Sequence, residues 1–215
     1  MKLSYLDLMT SDPSYNLAME QYVFDCLPRD RMYFMLWQND NAIIVGKYQN
    51  TIAEINEEAV RERGIRVVRR LSGGGAVYHD LGNLNYSIIF DSDLSVVSEA
   101  LRVDPTKIQT KGIRSVRSRV TNVAEHLPEK VTLPEFRRIL LENILKENPG
   151  EAYPLTQDDL AAVEKLRAER YATCDWNYGF SPACTMLRRR RVDGCGLIEA
   201  YITVEPVSYT HLRAH

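Results

Sequence analysis

The sequence RRLSGGGAVYHDLGN spans residues 69–83 and determines how the surrounding chain is interpreted. Apolar and polar residues alternate at 65–68 and again at 84–90, which predicts a strand on each side. The three consecutive glycines between these strands lose more backbone entropy on folding than other residues would. That cost is reasonable where the backbone must turn tightly and lie against a ligand with no side chain in between. Such a loop can direct several N–H groups at one anion.

Arg70 stands at the mouth of this loop and carries a permanent positive charge. Its guanidinium matches a phosphate or a carboxylate in shape. The simpler interpretation of residues 73–75 is a glycine-rich turn without a ligand. The flanking Arg-Arg, Ser, His-Asp and Gly-Asn residues favour an anion-binding loop over a plain turn.

The composition is that of an ordinary soluble globular protein: 45% of the 215 residues are hydrophobic and 26% are charged. This length allows one large domain, or one domain and a small second one. The net charge of −2 gives no reason to expect nucleic acid as a partner. No apolar run approaches the length of a membrane span, and the first residues lack the apolar core of a signal peptide. We therefore expect a cytoplasmic protein with neither a membrane nor a nucleic-acid partner.

The cysteine pattern is also what we expect of a cytoplasmic protein. No CxxC pair occurs, and no histidine stands at zinc-ligand spacing from a cysteine. We expect reduced thiols, and we assign no metal ligand to a protein side chain. The cysteines are Cys26, Cys174, Cys184 and Cys195.

Hydrophobic periodicity predicts an α+β fold in which helices cover one side of a mixed sheet. The apolar strands at 31–37 and 42–46 are separated by a polar turn, so they are expected to form a hairpin. Glu20 falls in the first helix and is expected to be a solvated surface carboxylate. Helices are predicted between Asp12 and Pro28, at 52–64, after Thr132 and after Thr156, and an alternating strand is predicted at 196–204.

The stretch at 69–83 resembles the signature of the lipoate–protein ligase A family, within the wider biotin/lipoate ligase-like fold. The resemblance extends in order from about residue 12 to about residue 196. It implies a class II synthetase-like catalytic domain with a mixed or antiparallel sheet covered by helices. The other matching pieces are SYNLAME at 14–20, LWQN at 36–39, VGKYQN at 45–50 and SVRSRVTN at 115–122.

The resemblance implies an ATP-dependent reaction in two steps. Lipoate attacks the α-phosphate of ATP to form lipoyl-AMP, and a lysine of an acceptor domain then takes the lipoyl group as an amide. The expected acceptors are lipoyl domains of 2-oxoacid dehydrogenases or the glycine-cleavage H protein, and Mg²⁺ is the expected metal. The preference between lipoate and octanoate stays open.

The site residues follow from the same resemblance. His79 either orients groups in the site or makes a structural hydrogen bond to the loop, and Arg117 is expected to help to hold anionic groups. The acyl chain is expected in an apolar slot walled by Trp37, Val45 and Leu71. Binding of ATP and lipoyl-AMP is assigned to Arg70, Ser72, Gly73, Gly74, Gly75, Ala76, Val77, Tyr78, His79 and Asn83.

One long segment of the family pattern is missing. The strand after the glycine loop continues directly, at about 90/91, into sequence that should follow several dozen residues later. The absent segment would carry the lysine that contacts both the acyl carboxyl and the α-phosphate, so the catalytic residue is unknown and poor ligation is expected. The expected units are a truncated catalytic domain at 1–177, the start of a small C-terminal domain at 178–206 and a non-native tail at 207–215.

Other functions remain open. An octanoyl or lipoyl transferase of the same fold would use a cysteine nucleophile instead of ATP. A remnant without chemistry would only hold lipoyl-adenylate or the acceptor domain. Nucleic-acid binding is disfavoured, because the basic cluster at 111–119 has no interleaved aromatic residues and is expected to be a solvated face. The arginines at 188–191 are expected in an exposed loop or strand start, or as a patch for an acidic partner.

Overall fold

A computed structural model of the chain describes residues 2–91, 121–181, 184–194 and 196–204. The expected roles of Arg117 and of the basic residues around it lie outside the described residues. The expected tail at 207–215 lies outside them as well.

The described strands fall into three sheets. They are β1 (Lys2–Asp7), β2 (Arg31–Trp37), β3 (Ala42–Val45), β4 (Arg66–Arg69), β5 (Val77–His79), β6 (Asn85–Ile89), β7 (Gly150–Ala152), β8 (Cys184–Val192) and β9 (Gly196–Val204). The strand orders are β6-β2-β1-β7, β4-β3-β5 and β8-β9. Both larger sheets are mixed, because β2 is parallel to β1 and antiparallel to β6, and β3 is parallel to β4 and antiparallel to β5. The predicted α+β class with mixed strand pairing is confirmed.

The predicted hairpin between 31–37 and 42–46 is wrong. β2 and β3 lie in different sheets and pair with other strands. Between them, Asn41 adopts a left-handed φ of 44°, which asparagine tolerates better than most residues. The Asp40 N–H donates to Ser11 O over 3.0 Å, so the turn is tied to a distant segment and β3 does not return along β2. Apolar runs in a sequence predict strands but not their partners.

Helices begin at side-chain caps. α1 covers Pro13–Cys26, and the predicted helix at 52–64 is divided into α2 (Thr51–Glu54) and α3 (Glu57–Glu62), because Asn50 and Asn56 each cap a separate N-terminus. α4 (Leu133–Glu147) and α5 (Gln157–Leu166) start with the predicted caps Thr132 and Thr156, each in a capping box. Single helical turns occur at Val123–His126, Arg167–Tyr171 and Asp175–Gly179. Across the residues that the structure describes, no helix has the length and apolar composition needed to cross a bilayer.

The largest core packs α1 and α5 against β2. Leu17 and Val23 of α1 contact the same buried cluster as Met35 and Trp37 of β2, and Val163 of α5 completes it. Fully burying an aliphatic side chain of this size contributes about 1.5–3 kcal/mol relative to leaving it exposed. This core holds α1 and β2 in place, and the candidate site is built on their side chains and on the neighbouring loop.

The C-terminal end of the described chain is the hairpin of β8 and β9. The alternating strand predicted at 196–204 is confirmed as β9. The arginines at 188–191 lie within β8, paired with β9, and not in a loop. The expected division at 177/178 falls inside the turn Asp175–Gly179 and stays a prediction.

Candidate functional site

The glycine loop, residues 72–76, leads from β4 to β5 across the end of β3. The sequence interpretation placed 77–79 in this loop, but these residues form β5 and anchor the loop's far end to β3. A Cβ on Gly46, just after β3, would lie 2.1 Å from Gly74 O, so only glycine allows the two backbones to approach this closely. Gly74 has φ +100°, and a Cβ there would lie 2.8 Å from Arg70 Nη2. Both positions therefore require glycine, one for close approach and the other for its backbone conformation.

Arg70 holds the carbonyl side of the loop. Its Nη2 donates to Gly73 O over 2.7 Å and to Gly75 O over 2.9 Å, and its Nη1 donates to Ile44 O over 3.2 Å. The structure shows this guanidinium shaping the loop, and its assignment to ATP and lipoyl-AMP stays a prediction. Burial lowers the pKa of Arg70 and the Glu20 carboxylate opposes that shift, so the positive charge stays beside the loop at neutral pH.

The N–H side of the loop is different. On the carbonyl side, Ser72 O also accepts a hydrogen bond, from the Lys47 N–H over 2.9 Å. Within the part of the chain that the structure describes, no hydrogen bond engages the N–H groups of residues 73–75. Carbonyls that face the protein and amides that do not are the arrangement of an anion-binding nest.

Glu20 lies on α1 and is partly buried, so the expected solvated surface carboxylate is wrong. Its Oε1 accepts a short hydrogen bond from the Ser87 hydroxyl, and Ser87 Oγ accepts from Trp37 Nε1 over 3.1 Å. Burial raises the pKa of Glu20, against the Ser87 hydrogen bond and the Arg70 charge, which lower it. Helical periodicity missed this residue because polar residues of α1, such as Asn16, are also buried. The SYNLAME motif at 14–20, which contains Glu20, was the sequence signal that could have identified this residue.

His79 is buried beside Trp37, with ring centroids 6.1 Å apart. Asn39 Nδ2 lies 3.1 Å from His79 Nδ1, so the ring accepts at Nδ1 and carries its proton at Nε2. Burial, helped by the Arg70 charge, lowers the pKa of His79 to about 4, and the imidazole is neutral at physiological pH. The structural hydrogen bond considered for His79 exists, but its partner is Asn39 and not the glycine loop.

The remaining nucleotide-site candidates are less enclosed. Ser72, Val77 and Tyr78 are exposed, and the Tyr78 hydroxyl donates to Asn41 Oδ1 over 3.1 Å. Asn83 Oδ1 is buried without a hydrogen-bond partner among the described residues.

The three residues expected to wall the acyl slot are only partly brought together. Trp37 is buried in the main core cluster, and Leu71 packs against the same cluster. Val45 lies in a separate cluster with Ile55 and Val67. Trp37 and Leu71 are therefore the two expected wall residues that belong to one apolar cluster.

Known proteins resemble this chain along most of its length. The family model of the lipoyl protein ligase A/B catalytic domain matches residues 12–93 and 87–145. Lipoate–protein ligase 1 of Staphylococcus aureus is 36% identical over 266 residues, which cover 94% of this chain and 81% of the relative. The lipoate–protein ligase LplJ of Bacillus subtilis is 36% identical over 261 residues, which cover 91% and 78%.

Solved structures share the fold. A Thermoplasma acidophilum lipoate protein ligase with bound lipoic acid has a TM-score of 0.64 at 19% identity, covering 83% of this chain and 98% of that chain. A lipoate–protein ligase A bound with ATP has a TM-score of 0.63 at 20% identity, with the same coverage. At these identities the likeness establishes the fold alone, and the sequence matches establish the family. The chain thus belongs to the lipoyl protein ligase A/B catalytic-domain family, in which its curated relatives are lipoate–protein ligases.

Proposed function

We propose that this protein is an ATP-dependent lipoate–protein ligase, which activates lipoate as lipoyl-AMP and transfers the lipoyl group to a lysine of an acceptor domain. The observation that carries the proposal is the glycine loop, in which Arg70 binds the carbonyl oxygens of Gly73 and Gly75 while the N–H groups of residues 73–75 engage no described residue. Its support in sequence is the 36% identity to two lipoate–protein ligases.

The electrostatics suit the first step. Lipoate and ATP are both anions, so negative charge builds up where the carboxylate meets the α-phosphate, and fixed donors must stabilise it. The amides of residues 73–75 are preorganised donors, and Arg70 keeps a positive charge beside them. Mg²⁺ would enter on the triphosphate, since the described residues contain no group of three or more His, Cys, Asp or Glu side chains that could hold a metal. When bound, the ion would neutralise phosphate oxygens.

The acyl chain would lie along Trp37 and Leu71, which belong to one apolar cluster. The Trp37 indole N–H is bound by Ser87, and Ser87 by Glu20, so the indole ring is held in a fixed orientation. A fixed aromatic wall favours an extended alkyl chain over water. Val45 is proposed as a more distant wall, because it packs in the neighbouring cluster.

The missing segment remains part of the proposal. In support, 94% of 215 residues is about 202, so roughly 64 of the 266 positions aligned with the S. aureus ligase have no residue of this chain opposite them. The two family matches also overlap at 87–93, as expected if one segment has been lost there. Without the cation between carboxylate and phosphate, the adenylation rate should fall by roughly two or more powers of ten.

Two measurements test the function. Calorimetric titration of the 215-residue chain with MgATP should show binding, and lipoylation of an acceptor lipoyl domain should be about 100-fold slower than with the S. aureus relative. Lipoylation as fast as that of the relative would refute the argument from the missing segment. Absence of both ATP binding and lipoate-dependent ATP/pyrophosphate exchange would refute the ligase itself.

A transferase remains the second candidate within the fold, and one observation weighs against it. Such an enzyme needs an activated cysteine thiolate, but burial raises the pKa of the Cys26 thiol, the opposite of activation. The acceptors are proposed to be lipoyl domains or the glycine-cleavage H protein. The cytoplasm, where ATP and these acceptors occur, remains the predicted location.

A further inference from the structure

Arg69, the neighbour of Arg70, is fully buried although it is charged. Its Nη1 donates to the carbonyl oxygens of Gly46, Lys47 and Gln49 over 2.7–3.0 Å. No carboxylate in the described ranges lies within ion-pair distance of it. Burial lowers the pKa of Arg69 to about 10, so the side chain is still charged at neutral pH. A buried charge is costly unless polar groups surround it, and here backbone and hydroxyl oxygens do so.

The other side of this guanidinium binds a segment more than 100 positions further along the chain. Nε donates to Trp176 O over 3.0 Å, and Nη2 donates to Ser181 Oγ over 3.0 Å. The Arg69 backbone is bound by the same segment, since its N–H donates to Asn177 Oδ1 over 2.9 Å and its carbonyl accepts from Trp176 Nε1 over 2.8 Å. Residues 176–181 thus close the outer edge of β4.

The loop that Arg69 binds at 46–49 is also the support of the glycine loop. Gly46 and Gly74 approach so closely that no Cβ fits between them, and the Lys47 N–H donates to Ser72 O. A displacement of the 46–49 loop must therefore displace the glycine loop. A continuous set of hydrogen bonds and close contacts joins residues 176–181, Arg69, the 46–49 loop and the glycine loop.

We propose that residues 176–181 belong to the scaffold of the anion site, and that Arg69 is the positioning residue through which they hold the glycine loop. The ligand in this inference rests on the proposed function, whereas the mechanical link does not. The segment lies beyond residue 145, where the family's catalytic-domain match ends. In the sequence it precedes β8, which begins at Cys184.

The test changes the partners of Arg69, because removing the buried guanidinium would leave many oxygens without a donor and could unfold the chain. Ser181→Ala deletes the Oγ that accepts from Arg69 Nη2 and from the Thr51 N–H and that donates to Tyr178 O. Trp176→Phe deletes the indole N–H that donates to Arg69 O while keeping an aromatic ring. Ser14→Ala is the matched control, because the Ser14 hydroxyl donates to Tyr171 O over 3.1 Å and does not bind Arg69. Val163→Ala is a second control, a buried α5 residue whose truncation lowers global stability elsewhere.

Two readouts on the full 215-residue chain separate the outcomes. Hydrogen–deuterium exchange of the hydrogen-bonded amides of Lys47 and Arg70, which donate to Ser72 O and Val45 O, should accelerate about fivefold or more in Ser181→Ala and Trp176→Phe, because each variant loses at least one hydrogen bond around Arg69. MgATP affinity should fall by a similar factor. Ser14→Ala and Val163→Ala should leave both unchanged. Unchanged exchange in the two test variants, or equal acceleration in Val163→Ala, would overturn the inference. Accelerated hydrogen–deuterium exchange in a chain that shows neither ATP binding nor lipoate-dependent ATP/pyrophosphate exchange would uphold the positioning role and refute the proposed function.

Discussion

Gly73→Ala separates the folding role of the glycine loop from its ligand role. A Cβ built on Gly73 meets nothing within 4 Å, and its φ is not in the left-handed region. Where the backbone is compatible, Gly→Ala stabilises a protein by about 0.4–1 kcal/mol, chiefly by restricting the unfolded chain. The free energy of unfolding of Gly73→Ala should therefore equal or slightly exceed that of the parent.

Nucleotide affinity should respond in the opposite direction. If the loop lies against a phosphate at this position, the added methyl group occupies space that the ligand needs, and overpacking of this kind costs about 1–3 kcal/mol. That corresponds to roughly 5- to 150-fold in the ATP dissociation constant. Calorimetric titration with MgATP measures the dissociation constant, and a thermal melt of the same sample measures stability.

Gly46→Ala is the matched comparison, with the same added methyl in a different place. Its Cβ would lie 2.1 Å from Gly74 O, whereas ordinary contact begins at 3.4 Å, so the backbone must shift and both stability and affinity should fall. Parental ATP affinity in Gly73→Ala would show that the loop does not lie against the nucleotide there. A destabilised Gly73→Ala would show that this side of the loop is not open.

The remaining predictions concern buried polar groups and one helix cap. The free energy of unfolding should fall by about 2 kcal/mol between pH 7 and pH 5, because His79 has a folded pKa of about 4 whereas the unfolded chain takes up the proton near 6.5. In urea titrations, His79→Gln should reduce this dependence of the unfolding free energy on pH. The exposed control His126→Gln should not. Glu20→Gln should melt within about 1 °C of the parent because it still accepts from Ser87, whereas Glu20→Leu leaves that hydroxyl without its acceptor and should lose about 1–3 kcal/mol in thermal melts. Thr132→Ala removes the capping box of α4 and should cost about 1 kcal/mol in urea denaturation; an unchanged midpoint would contradict the cap.

Local signals in the sequence predicted the local structure well. The threonine caps of α4 and α5 and the strand at 196–204 follow from residues within a few positions of one another, and all are present. Pairing between distant segments could not be predicted in this way. The β2–β3 hairpin failed because the turn at Asp40 is tied to Ser11, and nothing in 31–46 shows that bond.

Arg69 and Arg70 illustrate the same limit within the site. Arg69 ends β4 and Arg70 follows it directly. Successive residues of an extended chain point to opposite sides, so the two side chains are expected to diverge, but the sequence gives both the same chemistry. Arg69 is the one that turns away, because the carbonyl and hydroxyl oxygens that surround it come from 46–51 and 176–181. The oxygens of main-chain groups carry no sequence signature, so a buried arginine satisfied by them cannot be recognised from residue types.

The consequence for anion binding is that both arginines act on the loop before any ligand arrives. Arg70 binds the carbonyls of Gly73 and Gly75, and Arg69 fixes the 46–49 loop against which Gly74 packs. The loop amides are thereby oriented in the free protein, and preorganised dipoles of this kind need no reorganisation when charge develops on a phosphate. A flexible surface arginine would instead have to be ordered by the ligand, at a cost in side-chain entropy. The proposed anion site would therefore obtain its preference from backbone geometry, and the two arginines serve first to maintain that geometry.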